Sequence, residues 1–295
     1  MQGILSIRDM PLQGKRVLIR SDFNVPMVDG AVQEATRITE SLATIQYALE
    51  QQAGVILCSH LGRPEEGVFD SRLSLQPVAD VLTEALGLPV KLISDWRDSA
   101  PVKPGELVLW ENVRFNVGEM NNSAELGAAM ASHCDVFVMD AFATAHRAQA
   151  STEAVASAAQ KACAGLLLEQ ELQALGKAFS QPKRPLLAIV GGAKVSTKIQ
   201  LLESLMDQVD TLIVGGGIAN TFLKAKGYSI GSSLYEEDYV DLARELLATA
   251  QAKGVEMPLP VDVLTATEFA ADAVAVECTV DAVQEGQLIL DVGEK

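Results

Sequence analysis

The chain has 295 residues, of which 48% are hydrophobic and 21% charged, and its formal net charge is −16. This length and composition fit a globular protein of one or two domains with a large core. The acidic balance argues against nucleic acid or an anionic membrane surface as a bulk partner, since both carry negative charge. An anionic ligand would have to be bound by a local cluster of cationic side chains.

Apolar runs in the first half of the chain alternate with amphipathic segments. The strand-like runs are RVLIR (16–20), GVILCS (54–59), ELVLW (106–110) and DVFVMD (135–140). Between the first two, apolar residues recur at Ile38, Leu42, Ile45 and Leu49, which predicts a helix over 37–52. Because the runs are apolar throughout, they favour parallel strands covered by helices on both faces. We therefore predict an α/β fold with its functional loops at the carboxyl ends of the strands.

The second half repeats this organisation after a predicted helix over 164–179. A polar segment, SQPKRP, follows that helix, and the next strand-like runs are LLAIV (186–190), TLIV (211–214), LPVDVLT (259–265) and AVAVEC (273–278). We predict a first domain over 1–170, a helix end and linker over 171–183, and a second domain over 184–295. Nine of the 11 arginines precede residue 150 and nine of the 12 lysines follow it, which indicates different ligands for the two domains.

Polar and basic residues follow each predicted strand of the first half. They are Asp22 and Asn24 in SDFNVP, Arg37 at a helix start, His60 and Arg63 around Gly62 in SHLGRP, Arg114 in ENVRF, and His146 and Arg147 in TAHRA. A lone arginine on a loop is usually a solvated charge or half of a salt bridge, and a lone histidine is more often structural than catalytic. Loops at one edge of a parallel sheet converge, however, so together these residues predict a basic cradle for a small polyanion.

Two glycine-rich segments follow strand-like runs in the second half. In GGAKVSTKI, Gly191 and Gly192 lead into a predicted helix that carries Lys194 and Lys198 on one face, an arrangement typical of a phosphate site. The segment lacks the Walker A spacing. In VGGGIANTF, Gly215 and Gly217 fit a dinucleotide fingerprint, but Asn220 stands at the third glycine position, which disfavours NAD. A tight strand-to-helix turn explains these glycines equally well.

The four cysteines, Cys58, Cys134, Cys163 and Cys278, form no CxxC pair and no structural zinc pattern. They are interpreted as buried free thiols in a reducing compartment. The N-terminal segment has no long apolar core with a cleavage site, and no apolar run is long enough to span a bilayer. These features predict a cytoplasmic protein.

Six segments, RSDFNVP, SHLGRP, ENVRF, DAFATAHRAQAS, GGAKVSTKI and VGGGIANTF, resemble the phosphoglycerate kinase family in order and spacing along the whole chain. The resemblance implies reversible phosphoryl transfer between 1,3-bisphosphoglycerate and ADP, giving 3-phosphoglycerate and ATP with Mg²⁺. It implies two doubly wound, Rossmann-like parallel-sheet domains joined by a helix, and a monomer with small-molecule substrates. We expect no nucleic acid or membrane partner and no protein side chain that binds metal on its own.

The resemblance also implies roles for individual residues. It assigns the phosphoglycerate to Asp22, Asn24, Arg37, His60, Leu61, Gly62, Arg63, Arg114 and Arg147. It assigns the nucleotide to Gly191, Gly192, Lys198, Gly215, Gly216 and Gly217, with the last three near the base. Arg37, Lys194 and Lys198 are the predicted catalytic groups, and Arg37 and Lys194 are expected to stabilise the transferring phosphoryl group.

The sequence departs from the family pattern at three points. Ala143 stands where the family usually has glycine, and Leu166 stands where proline is common. The chain also stops at LILDVGEK, within the predicted second domain, so that domain is expected to be incomplete and to lack the family's ribose-binding glutamate and last glycine-rich turn. The alternative to an active kinase is therefore a truncated, non-catalytic fragment that binds phosphoglycerate. An NAD-linked oxidoreductase is a third, weaker hypothesis.

Overall fold

The computed structural model describes residues 3–180 and 182–295. Contacts divide the chain into two compact units, one through Gly176 and one from Lys177 onward. The division lies inside the segment 171–183 that the sequence predicts to connect two domains. The assignment of a ligand to each unit stays a prediction.

The first unit is built on a parallel sheet. Its strands follow the order β5-β6-β4-β1-β7-β8, and every neighbouring pair is parallel. The strands are β1 (Arg16–Arg20), β4 (Gly54–Cys58), β5 (Lys91–Ile93), β6 (Leu107–Trp110), β7 (Val136–Met139) and β8 (Ala162–Ala164), and a small hairpin joins β2 (Met27–Val28) to β3 (Ala31–Val32). The predicted parallel α/β fold is confirmed, because each apolar run of the first half forms a sheet strand.

Helices cover both faces of this sheet. They are α1 (Thr36–Glu50), α2 (Gln76–Leu86), α3 (Ala124–Ser132), α4 (Phe142–Ala145), α5 (Val155–Ala158) and α6 (Leu166–Ser180). Val17 and Ile19 of β1 share a core with Ile38 and Ile45 of α1, whereas Leu18 belongs to the core that includes α3. Successive strand residues point to opposite faces, so a strand buried on both sides must be apolar at every position.

The helix α6 begins two residues later than predicted, because Ala162–Ala164 is the edge strand β8. A carboxylate from the end of a neighbouring strand stabilises its first turn. Asp140 Oδ1 accepts the backbone N–H of Leu168 at 3.1 Å, and Thr44 Oγ1 accepts that of Leu166 at 3.0 Å. A Cβ at Gly165 would lie 2.2 Å from Asp140 Oδ1, so only glycine allows this approach.

An aromatic cluster lies on one face of the first unit. Trp96 and Trp110 stack with ring centroids 4.4 Å apart, and His133 meets both rings edge-on at 5.7 and 5.5 Å. Both tryptophans are buried. Burial in this apolar cluster lowers the pKa of His133, so the ring packs in its neutral form.

The second unit contains two small sheets. Strands β9 (Leu187–Gly191) and β10 (Thr211–Gly215) are parallel and pack with α7 (Ile199–Met206), α8 (Gly216–Ala225) and α9 (Val240–Lys253). The strands β11 (Asp262–Ala266), β12 (Val276–Thr279) and β13 (Leu288–Val292) form an antiparallel sheet in the order β12-β11-β13. The sequence predicts strands in LPVDVLT and AVAVEC, but it does not predict this antiparallel pairing, which depends on partners distant in the chain.

The four cysteines are free, as expected; Cys58, Cys134 and Cys163 are buried, whereas Cys278 is partly exposed. Within residues 3–180 and 182–295, every helix is too short or too polar to cross a bilayer.

Candidate active site

The loops that carry the predicted basic residues follow four neighbouring strands. In the sheet these strands lie in the order β6-β4-β1-β7, and all are parallel. Their carboxyl ends therefore meet at one edge, where the loops after them carry Arg114, His60 to Arg63, Asp22 to Asn24, and Arg147. The topology brings together residues that are up to 125 positions apart in the sequence (147 − 22).

Asp22 connects two of these groups. Its Oδ2 accepts a hydrogen bond from Arg37 Nη1 at 2.8 Å, and its Oδ1 lies 3.9 Å from His60 Nδ1. Arg37 is in the first turn of α1, as the sequence predicts. Asp22 Oδ1 also accepts the backbone N–H of Asn24 at 3.1 Å, so the chain turns at this point.

Gly62 joins the loop after β4 to two neighbouring loops. Its N–H donates to Asn24 Oδ1 at 2.8 Å, and its carbonyl accepts from Arg114 Nη1 at 2.5 Å. Its φ of +60° is readily adopted only by glycine. Leu61 is buried in the core, and its carbonyl accepts from Asn112 Nδ2 at 2.8 Å. Leu61 and Gly62 thus build the loop through their backbone.

Three arginines at this edge, Arg63, Arg114 and Arg147, have no carboxylate within salt-bridge distance among the described residues, whereas Arg37 pairs with Asp22. Arg114 is buried, and its Nε has no hydrogen-bond partner among the described residues. Burial, together with the charges of Arg147, Arg20 and Arg63, lowers the pKa of Arg114. Arg63 and Arg147 are themselves exposed. A cluster of like charges with a free buried donor is suited to binding an anion, which would relieve the repulsion.

His60 does not contribute to that positive charge. Its side chain is 4% exposed. Burial and the neighbouring arginines, with Arg20 the strongest, lower the pKa of His60 to about 2. The neutral form of this imidazole is therefore favoured, because it costs less to bury beside arginine. The role of His60 in binding substrate stays a prediction. His146 is exposed on the loop after β7.

Sequence reasoning missed three buried residues behind the site. Arg20 is fully buried and donates from Nε to Ser151 Oγ at 3.0 Å. Ser151 Oγ in turn donates to Glu119 Oε1 at 2.6 Å. A charged residue that ends a buried apolar strand requires a partner, so Arg20 was detectable in RVLIR. Neither Glu119 nor Ser151 lies in a pattern that identifies it as that partner.

The lysine segment of the second unit differs from the prediction. Lys194 is extended and precedes a 3₁₀ turn, Val195–Thr197, and Lys198 caps α7. The two lysines therefore do not share a helix face. Glu236 explains the change, because it accepts the Ser196 N–H at 2.8 Å and Ser196 Oγ at 2.6 Å. Against the effect of desolvation, these bonds lower the pKa of Glu236.

The glycines of the second unit fall into two groups. Gly216 has a φ of +64°, and a Cβ at Gly217 would lie 2.5 Å from the carbonyl oxygen of Ala193. These two glycines are required for the packing of one loop on the other. A Cβ at Gly191 or Gly215 would meet no atom within 4 Å. Those two positions face open space, where a ligand has room to approach the backbone.

Asn220, which replaces the third glycine of a dinucleotide fingerprint, is buried in α8. Its Nδ2 donates to the carbonyl of Leu234 at 3.0 Å. This side chain occupies the position at which a dinucleotide-binding helix needs a glycine for close packing.

The order of the motifs along the chain agrees with the comparisons with known proteins. The family model for phosphoglycerate kinase matches residues 7–295. The chain belongs to the phosphoglycerate kinase family. The phosphoglycerate kinase of Francisella tularensis subsp. holarctica is 55% identical over 291 residues, which cover 99% of this chain and 74% of that relative. The phosphoglycerate kinase of Coxiella burnetii is 55% identical over 285 residues, covering 97% of this chain and 73% of that relative.

Solved phosphoglycerate kinases have the same fold. The structure from Coxiella burnetii aligns with a TM-score of 0.83 at 55% identity and covers 99% of this chain and 75% of that chain. The structure from Pyrococcus horikoshii OT3 aligns with a TM-score of 0.81 at 28% identity and covers 99% of this chain and 76% of that chain. The present chain thus spans about three quarters of the length of these phosphoglycerate kinases.

Two departures from the phosphoglycerate kinase pattern have a structural explanation. Ala143 lies within the short helix α4 and does not need the conformational freedom of glycine. Leu166 is the first residue of α6, where proline is favoured because it lacks an N–H. Here the N–H of Leu166 donates to Thr44 Oγ1 at 3.0 Å, so leucine gains a hydrogen bond that proline could not make.

Proposed function

We propose that the chain transfers a phosphoryl group reversibly between 1,3-bisphosphoglycerate and ADP, giving 3-phosphoglycerate and ATP. The observation that carries the proposal is the group of arginines around Arg114 in a chain of this family. The buried Nε of Arg114 has no hydrogen-bond partner among the described residues. A cluster of this kind favours a small ligand with several negative charges.

In this proposal the first unit binds the phosphoglycerate. Arg63, Arg114 and Arg147 neutralise its phosphate and carboxylate, and His60 donates a hydrogen bond. Asp22 and Asn24 contact its polar groups or orient the loops that do so. The hydrogen bonds of Asn24 and Arg114 to Gly62 support this assignment, because they hold three loops in register at the sheet edge.

The second unit binds the nucleotide as its magnesium complex. Gly191 and Gly215 face open space and would admit the nucleotide close to the backbone. Lys194, which is exposed, and Lys198, at the start of α7, would contact its phosphates. In the described residues, no group of three or more His, Cys, Asp or Glu side chains is arranged to hold a metal ion. Mg²⁺ bound mainly through substrate phosphates and water needs no such group.

Phosphoryl transfer requires little covalent chemistry from the protein. The acyl phosphate of 1,3-bisphosphoglycerate passes its phosphoryl group to the terminal oxygen of ADP, and the carboxylate leaves with the bonding electron pair. We assign Arg37 and Lys194 to the equatorial oxygens of the transferring group, where negative charge must be stabilised. For this, Arg37 has to exchange its hydrogen bond to Asp22 for one to the phosphoryl group.

Two measurements test the proposal together. A coupled assay with ADP and 1,3-bisphosphoglycerate detects turnover, and a titration with 3-phosphoglycerate detects binding to the first unit. We expect both signals. Binding without turnover would leave only the alternative of a non-catalytic phosphoglycerate-binding fragment, and absence of both would contradict the proposal.

The proposal also places the chain in the cytoplasm as a monomer. The free cysteines support a reducing compartment. Light scattering at working concentration would test the monomer, and a mass twice that of the 31.4 kDa chain would contradict it.

A further inference from the structure

We propose that Arg20 is a positioning residue that holds His60 as its neutral Nε2–H tautomer, so that the ring offers the phosphoglycerate a hydrogen-bond donor and not a charge. The hydrogen bond from His60 to phosphoglycerate rests on the function proposed above. The tautomer of the ring in the free protein does not depend on that function, and it can be measured separately.

The tautomer follows from the two groups nearest to His60 Nδ1. Arg20 Nη2 lies 3.3 Å away, and Asp22 Oδ1 lies 3.9 Å away. Arginine has donors only and stays protonated in proteins. The shorter contact therefore requires Nδ1 to accept, and the distance to Asp22 is too long for Nδ1 to donate there. The ring hydrogen must lie on Nε2, which makes no hydrogen bond to any residue the structure describes.

Other buried groups fix the orientation of Arg20. Its Nη1 donates to the carbonyl of Ser21 at 2.5 Å, and its Nε donates to Ser151 Oγ at 3.0 Å. Ser151 also donates to Glu119, which is fully buried and supplies a counter-charge. Because all three directions of the guanidinium are used, Arg20 cannot turn away from His60 without breaking hydrogen bonds in the interior.

The charges around the ring oppose its protonation. The positive groups that face it come from four different segments of the chain, and Asp22 is the acidic group near Nδ1. These positive groups are Arg20, Arg114, Arg147 and Arg37. Burial acts in the same direction. A neutral ring fits this environment, whereas an imidazolium would add one more positive charge to a cluster that already repels itself.

A neutral donor has a different function from the surrounding arginines. The arginines compensate the charge of the ligand, and the Nε2–H of His60 selects the position of one oxygen. A hydrogen bond to a charged oxygen contributes about 1.5 to 3 kcal/mol, so its loss should weaken binding by roughly tenfold or more. Loss of one of the charged groups should cost more.

Nitrogen-15 NMR of the histidine side chains tests the ring state in the intact chain. We expect the His60 spectrum of a neutral Nε2–H tautomer from pH 8 to pH 5, conditions under which an ordinary histidine, with a pKa of about 6.5, becomes charged. A hydrogen on Nδ1, or a His60 ring that is charged at pH 6, would overturn the proposal whatever any variant does.

Variants then test whether Arg20 is the cause. In Arg20→Met, Nδ1 loses its donor and the ring keeps Asp22 nearby, so the Nε2–H tautomer should lose its preference and the titration midpoint of His60 should rise. Burial and the remaining arginines should keep that midpoint below the ordinary value of about 6.5. Arg20→Lys keeps the charge and one donor and should largely restore the neutral tautomer. Arg16→Met removes an arginine from the other end of the same strand, where it pairs with Asp135, and should leave His60 unchanged.

A double variant keeps the test possible in case Arg20→Met does not fold. If Arg20→Met leaves Glu119 buried without a counter-charge and the protein unfolds, the double variant Arg20→Met with Glu119→Gln removes both charges. An unchanged tautomer and midpoint of His60 in a folded Arg20→Met variant, single or double, would overturn the assignment of Arg20.

Titration with 3-phosphoglycerate separates this inference from the proposed function. At pH 8, where the ring is neutral in either protein, we expect Kd to rise about tenfold in Arg20→Met, because the ring hydrogen can then move to Nδ1 and the Nε2–H donor is lost. Kd should stay within twofold in Arg16→Met. Absence of binding in the parent chain would contradict the proposed function while the NMR result still decided the state of His60. Unchanged affinity in a folded Arg20→Met variant whose neutral ring carries its hydrogen on Nδ1 would refute the role of the Nε2–H donor.

Discussion

At the scale of single residues, Asp22 determines which cations of the site are free to meet a ligand. It binds Arg37 at 2.8 Å and leaves Arg63, Arg114 and Arg147 without a carboxylate partner within salt-bridge distance among the described residues. Asp22 is 14% exposed, whereas Arg37 is 48% exposed and can move. The arrangement fits three arginines that bind the ground state and a fourth that changes partner during the reaction.

Replacing Arg37 with alanine should reduce turnover more than binding. Loss of a charge-assisted hydrogen bond made mainly in the transition state should cost about 3 kcal/mol, or roughly a hundredfold in kcat. The Kd of 3-phosphoglycerate should change by less than about fivefold, since Arg37 is paired with Asp22 before transfer. Coupled kinetics and a binding titration measure the two effects.

Arg72→Ala is a matched control for that experiment. Arg72 also pairs with an aspartate, Asp70, at 2.7 Å, but it lies outside the site. It should leave both kcat and Kd unchanged. Equal losses of binding and turnover in Arg37→Ala would instead identify Arg37 as a residue that only positions the substrate.

At the scale of elements, α6 begins at a carboxylate contributed by the end of β7. Desolvation raises the pKa of Asp140 to about 6, although hydrogen bonds from the first turn of α6 and from Thr44 oppose the change. Its Oδ2 is buried without a partner among the described residues. Folding thus stabilises the neutral acid of Asp140 relative to the unfolded chain, which makes the stability of the start of α6 depend on pH.

Asp140→Asn should change how stability depends on pH. A carboxyl whose pKa is raised by folding stabilises the folded state most below its unfolded pKa of about 3.9, and this contribution is lost as pH rises through about 6. Asparagine does not titrate, so the free energy of unfolding of the variant relative to the parent should increase by about 2 to 3 kcal/mol from pH 4 to pH 6.5. Urea unfolding at several pH values measures this difference.

Asp135→Asn gives the opposite sign and serves as the control. Hydrogen bonds from Arg16 lower the pKa of Asp135, so its contribution is present at neutral pH and lost as pH falls. The variant should become less stable relative to the parent as pH rises. A flat pH profile for Asp140→Asn relative to the parent would show that the carboxyl is not perturbed by folding.

The two groups of glycines in the second unit predict separate effects on stability and binding. Gly217→Ala places a Cβ 2.5 Å from a backbone oxygen and should cost about 1 to 3 kcal/mol of stability. Gly191→Ala fills open space at the end of β9 and should change stability by less than about 1 kcal/mol. If Gly191 contacts the nucleotide, its variant should bind MgADP more weakly while remaining folded. Thermal unfolding and nucleotide titration distinguish the two, and normal nucleotide affinity in Gly191→Ala would remove this glycine from the site.

The parts of this fold that the sequence predicts are those decided by local pattern. The first-half strands are continuous apolar runs because they are buried on both faces, and Arg37 follows from a helix start. Arg20 stands out as a charge at the end of an apolar strand, but its partner Ser151 is 131 residues away, so no local pattern identifies its role. The helix predicted to carry Lys194 and Lys198 begins only at Ile199, after a 3₁₀ turn in which Ser196 binds Glu236, 40 residues away.

At the scale of the whole molecule, an acidic chain binds an anion through one small positive region. The formal net charge of −16 repels phosphoglycerate at long range, whereas the arginines at the sheet edge attract it at short range. Screening by salt reduces both effects over about 8 Å at physiological ionic strength. Partly buried contacts such as that of Arg114 are screened less, so specificity should depend on direct contacts.

The distribution of arginines over several loops predicts a preference for a ligand with two anionic ends. Glycerol 3-phosphate has no carboxylate and should bind at least about tenfold more weakly than 3-phosphoglycerate, since a hydrogen bond to a charged group contributes about 1.5 to 3 kcal/mol. Titrations at equal ionic strength measure the ratio. Similar affinities for the two compounds would mean that the cradle binds phosphate alone.

Because Trp96 and Trp110 stack within one unit, tryptophan fluorescence reports on that unit and not on the other. These are the two tryptophans of the chain, and both lie in the unit through Gly176. Three of the four tyrosines, Tyr228, Tyr235 and Tyr239, lie in the other unit. Tryptophan emission during denaturation therefore follows the unit through Gly176, while circular dichroism follows the helices of both units. The gap between the two curves would show, without any added label, whether the halves unfold as one cooperative body or in succession.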